Sequence, residues 1–160
     1  DELLGVLNQE ARVYSSILNL SRDKTAIIVE GKVTELENMV KLEQTLVLQL
    51  GRLDDMRENI ADKLAKHLGV QPSVLNITRL LKIAGDKQVN ELVRYQDTMK
   101  QTLQELANAN ELNSKLIRNS LEFIDFSMNM LVGIDNPSNN YGSTGEASSS
   151  KKRSLLDIKL

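Results

Sequence analysis

The amino-acid sequence predicts an all-α protein: an elongated antiparallel helical bundle of three long helices plus a short connecting helix, followed by a flexible C-terminal tail. Three observations predict it. Apolar residues recur at spacings of three and four over the first thirty residues, and in seven-residue ladders over residues 33–68, which is the period of a helical seam. Tryptophan is absent and aromatic residues are only 3% of the chain, so a core must be built from Leu, Ile, Val and Met, as helix-on-helix packing allows. Residues 135–154 contain no Leu, Ile, Val, Met or Phe, too little apolar surface to offset the entropy of ordering them. The expected division is therefore a bundle over residues 1–134, then a polar linker and a short apolar docking segment over 135–160.

The first helix carries Leu4, Leu7, Ala11, Tyr14, Leu18, Ser21, Thr25 and Ile28 on its seam, flanked by Val6, Val13, Leu20 and Ile27. A helix with two ladders touches two neighbours. At Gly31 the pattern falters, which predicts a boundary or sharp bend; a helix continuous through Gly31 would instead give a swapped dimer. The second helix, about 33–68, has one ladder of Leu36, Glu43, Leu50, Arg57 and Leu64 and another of Met39, Leu46, Leu53, Ile60 and His67. Gly69 stops it and Pro72 prevents its continuation. One or two helical turns are predicted over 78–84, ended by Gly85, with Asp86 capping a third helix over about 87–131. That helix would span about 65–70 Å before Gly133 and Pro137. At the far end Lys151, Lys152 and Arg153 precede Leu155, Leu156, Ile158 and Leu160, a segment that reads either as a docking peptide or as a strap folded back on the bundle.

The third helix has more apolar side chains than one seam needs. Leu103, Leu106, Ile117, Leu121, Ile124, Met128 and Leu131 share the face expected to enter the core. A second stripe of Leu112, Leu116, Phe123 and Met130 lies about 120° away, with Phe126 beyond it. The second stripe asks for a partner, and its spacing suits a helix laid along a groove. The other covers are the first helix of the same chain or a second copy in a homodimer. Polar residues also sit on the seams. Glu43 and Arg57 are about 21 Å apart along one helix and so do not pair with each other. Up-down-up folding brings Ser21, Glu43, Asn110 and Asn113 to one level, predicting a polar layer in which the two amides donate to the Glu43 carboxylate. Such a layer serves either register control or a ligand.

Several function classes are excluded. Net charge is −2 with scattered basic residues, which leaves no footprint for nucleic acid. No apolar run approaches the ~20 residues of a membrane span, and a membrane-surface helix lacks its basic face. The single histidine, His67, and the absence of cysteine argue against metal sites and thiol chemistry. Lack of cysteine fits a reducing compartment. No phosphate-cradling loop, dinucleotide fingerprint or nucleophile elbow occurs, and the adjacent Asp54 and Asp55 diverge on a helix. No enzyme, metal or cofactor is expected.

Glu43, the Leu50 and Leu53 pair, Arg57, and the run Asn110-Glu111-Leu112-Asn113-Ser114-Lys115-Leu116 together resemble the FlgN family of flagellar type III export chaperones. The resemblance covers residues 3–131. It implies a cytoplasmic helical protein that binds helical C-terminal segments of hook-associated, or hook-filament junction, proteins. It also implies presentation of those clients to the export gate or export ATPase. On that reading Leu112, Leu116, Phe123, Phe126 and Met130 are the client-binding residues. Tyr141, the one large ring in the polar linker, is either the contact to the export gate or a solvated side chain. The alternative from a different class is a homo-oligomeric coiled-coil scaffold, with the second stripe as a permanent self-interface.

Overall fold

A computed structural model describes residues 1–134, with side chains through residue 132. It comprises α1 (Glu2–Val29), α2 (Val33–His67), a 3-10 turn (Pro72–Val74), α3 (Ile77–Ile83) and α4 (Asp86–Ile134). Among the described residues the fold is all-helical. The chain divides into two compact units, Asp1–Phe123 and Ile124–Leu160. Tyr141, the linker and the apolar segment ending at Leu160 lie outside the described residues.

Two glycines end the first two helices by one mechanism. Gly31 and Gly69 adopt φ of +67° and +64°, a left-handed backbone that only glycine reaches without steric cost. At α1 the Gly31 N–H donates to the Ile28 carbonyl (3.1 Å) and the Lys32 N–H to that of Ile27 (3.1 Å). At α2 the Gly69 and Val70 N–H groups bond the Lys66 and Ala65 carbonyls in the same way. This paired pattern satisfies carbonyls that a helix end leaves open. A helix continuous through Gly31 is thereby overturned.

The connection holds two details the sequence reading missed. Asn76 caps α3, its side chain accepting from the Arg79 N–H at 2.9 Å, so the helix starts at Ile77. Asp86 is the first residue of α4 rather than its cap. The Gln88 side chain instead reaches back to the Gly85 N–H at 3.2 Å.

Within the first unit α1 is the most buried helix. Leu4, Val6, Leu7, Val13, Ile17, Leu18, Leu20 and Ile28 are all buried, so both of its ladders are used, as expected for a helix with two neighbours. Leu4 and Leu7 pack with Leu80 of α3 and Leu92 of α4. Val6, Val13 and Ile17 pack with Leu53 of α2, with Leu46, Leu50, Ile60 and Leu106 around them. Two ion pairs tie α1 to α2: Arg57 Nε to Glu10 Oε1 at 3.1 Å, and Lys24 Nζ to Glu43 Oε2 at 2.6 Å. They meet in opposite order along the two helices. Bonds from α1 to α4 run in the same order instead, from Asp1 with Gln88 through Glu10 with Tyr95 to Thr25 with Asn113.

One expectation fails on α4. Leu103, Ile117, Leu121, Ile124, Met128 and Leu131, assigned to the core, are exposed, and Leu106 is half-buried. For Ile117 and Leu121 the cause is length. Thr25 faces Asn113 and α1 ends four residues later at Val29, so α4 from about Ile117 onward has no α1 beside it.

Candidate functional site

Ser21, Asn110, Asn113 and Thr25 form one connected polar cluster. Ser21 is fully buried and Asn113 buried. Asn113 Nδ2 donates to the Ser21 carbonyl at 2.7 Å. That carbonyl only accepts, which fixes the amide's orientation and turns Oδ1 toward the Thr25 hydroxyl, which donates at 2.7 Å. The Ser21 hydroxyl donates to Asn110 Oδ1 at 2.6 Å.

Glu43 is held elsewhere. Lys24 donates to both of its carboxylate oxygens, at 2.7 and 2.6 Å, so the expected amide-to-carboxylate bonds are corrected. A lysine ammonium is the stronger donor for a carboxylate, and Lys24 reaches it from α1. Arg57 has the matching arrangement with buried Glu10, and also pairs with Asp54. The Tyr95 hydroxyl donates to the other Glu10 oxygen at 3.1 Å. Burial and the adjacent Glu10 charge raise the Tyr95 pKa. For Arg57, burial opposes the charge, but the bonds and charges of Asp54 and Glu10 outweigh it and the pKa rises. Among the described residues no buried side-chain nitrogen or oxygen lacks a partner, and no group of acidic, His or Cys side chains is arranged to hold a metal. His67 is exposed.

Sequence reasoning missed Glu10 and Lys24, which look like surface residues when read alone. The signal was present: they are fourteen residues apart, as are Glu43 and Arg57, with the charges reversed.

Of the five residues expected to bind a client, three belong to the first unit. Leu112 is 48% exposed, Phe123 70%, and Leu116 is half-buried. In the second unit Phe126 is 60% and Met130 54% exposed. Tyr141 lies outside the described residues. Exposed Val33, Val40, Val47, Leu42 and Leu48 on α2 formed no part of the expectation, because the ladders had been read for their buried members alone. Apolar side chains left in solvent on a helix are contact area of the kind a binding surface uses.

A family model described as FlgN protein matches residues 1–149. The chain belongs to the FlgN family. FlgN proteins are flagellar export chaperones, so the resemblance carried by Glu43, Arg57 and the run from Asn110 to Leu116 led to the right family. A relative, the Bacillus subtilis (strain 168) protein YvyG, is 30% identical over 148 residues, which covers 92% of this chain and 90% of that one. YvyG is itself described as uncharacterized. No solved structure matches. No helix among the described residues is long and apolar enough to cross a membrane.

Proposed function

We propose that this FlgN protein is a cytoplasmic export chaperone that binds helical C-terminal segments of hook-associated proteins and prevents their premature association. It then presents them to the flagellar type III export gate. It acts by binding alone, on an antiparallel packing of its long helices. One observation carries the reading: α4 keeps Leu112, Phe123, Phe126 and Met130 in solvent at spacings that a client helix can engage. Each such side chain contributes about 1.5–3 kcal/mol of gross driving force when covered. Association and ordering costs reduce the total to an affinity suited to release. The thioether of Met130 adapts to more than one client sequence.

The test is co-purification with hook-associated proteins, comparing the unsubstituted chain with Phe123→Glu and Phe126→Glu. Capture should fall at least tenfold in each variant with helicity unchanged. A collapse of helicity would make these side chains core and remove the reading. Light scattering addresses the scaffold alternative, since a stable dimer that a client segment cannot dissociate would favour permanent self-association. Tyr141→Ala should lower export while client binding persists; unchanged export removes the gate contact.

A further inference from the structure

One face of α2 that α1 leaves uncovered carries a valine ladder in solvent. Val33, Val40 and Val47 are 66%, 39% and 54% exposed, and their seven-residue spacing keeps them within about 40° on the helical wheel. A shallow cleft of about 370 Å³ runs beside Val33, Leu36 and Val40, edged by Glu37, Lys41 and Gln44. Valine is a poor helix former, so these three cost α2 propensity without gaining burial. A repeat of seven is the period of a second helix lying alongside. Gly51 continues the face at the wheel position of Val33. Glycine weakens a helix interior, yet a Cβ built there meets nothing within 4 Å, so no neighbour in the described chain requires its smallness. Glu37 and Lys41 flank Val40 on one side and are exposed. Neither is in an ion pair among the described residues.

We propose that this face pairs two copies of the chain, α2 against α2, antiparallel and centred on Val40. The two-fold axis sets Val40 against its own copy and Val33 against Val47 of the second copy, as a symmetric dimer requires. Charge selects both occupant and direction. With Val40 on the axis, Lys41 of each copy comes beside Glu37 of the other, forming two ion pairs that the single chain lacks. On the opposite flank Glu43 is already held by Lys24. A parallel pair would instead set Glu37, Asp55, Glu58 and Asp62 each against its own copy. In the antiparallel pair the last three lie past the turn at which the second α2 begins. Gly51 falls opposite the second copy's Val29, which is 69% exposed beside that turn. A residue without a side chain there lets the turn close on α2. The overlap of residues 33–47 is about 21 Å long, a small contact and therefore a reversible one. α4 takes no part in it.

The chain has no cysteine, so single substitutions report the pairing. When full chains carrying Val33→Cys and Val47→Cys are mixed under mild oxidation, the mixed disulfide should form at least tenfold faster than either chain's disulfide with itself. Equal rates, or faster self-pairing, would overturn the antiparallel contact. Light scattering on the unsubstituted chain should show a monomer–dimer equilibrium as concentration rises to about 1 mM. Val40→Glu and Glu37→Lys should each weaken it at least tenfold with helicity unchanged, and Glu37→Lys with Lys41→Glu should restore it. A chain that stays monomeric would refute the proposal, and any loss of client capture in Val40→Glu would then assign the face to a client. A dimer lost in Phe123→Glu but kept in Val40→Glu would also refute it, moving the contact to α4. Client capture should persist in Val40→Glu, so failure here leaves the proposed function standing. The same variant frees the light-scattering test of that function from this contact.

Discussion

Asn113 joins α4 to α1 through a carbonyl and a hydroxyl. Ser21 and Thr25 are one turn apart, and the amide spans them with a donor on one side and an acceptor on the other. Asn113→Ala would remove two side-chain bonds at a buried site, although the Ser21 carbonyl keeps its helical partner and the Thr25 hydroxyl can turn to that carbonyl, a loss of about 1–3 kcal/mol that urea denaturation measures. Tyr95 makes stability depend on alkaline pH. Its folded-state pKa is raised by burial and by Glu10, so its contribution is complete below the unfolded value near 10 and is lost as pH rises above it. Denaturation at pH 9 and pH 11 should show a fall in stability that is smaller in Tyr95→Phe; equal falls would place the dependence on another group. At this scale the sequence was half legible. Ser21, Asn110, Asn113 and Glu43 stand out because seams exclude polar groups, but which atom bonds which depends on helix rotation. Lys24 therefore took the carboxylate that the amides were expected to hold.

Register is an element-scale property, and two charged pairs are placed to specify it. Glu10 with Arg57 and Lys24 with Glu43 share one spacing with opposite polarity, so sliding α1 against α2 by a heptad places a charge against an apolar seam. Lys24→Glu alone should destabilise by about 3 kcal/mol, the cost of an unpaired, mostly buried charge. The exchanged pair Lys24→Glu with Glu43→Lys should recover most of that loss; no recovery in a double-mutant cycle would mean the pair does not set register. Gly51→Ala should stabilise the protein by about 1 kcal/mol, because its new methyl meets no atom, and raise the thermal midpoint by about 3 °C. Helix limits were legible because Gly31, Gly69, Pro72 and Gly85 punctuate the chain. The fate of the Ile117, Leu121 and Ile124 face was not. Periodicity shows which residues share a face, but not how far the neighbouring helix extends to cover it.

For the whole molecule, the proposed function rests on unequal lengths. A 49-residue α4 and a 28-residue α1 leave apolar side chains that the first unit's own pairing does not reach, and client binding is the role we propose for them. The surplus of Leu, Phe and Met on α4 was readable in the sequence, although the residues assigned to its buried side proved exposed as well. The most direct measurement is hydrogen exchange across residues 110–132, with and without a helical C-terminal peptide from a hook-associated protein. The account predicts at least tenfold slower exchange there on peptide binding, with the amides of α1 unchanged. Exchange across 110–132 that stays the same under saturating peptide would contradict it.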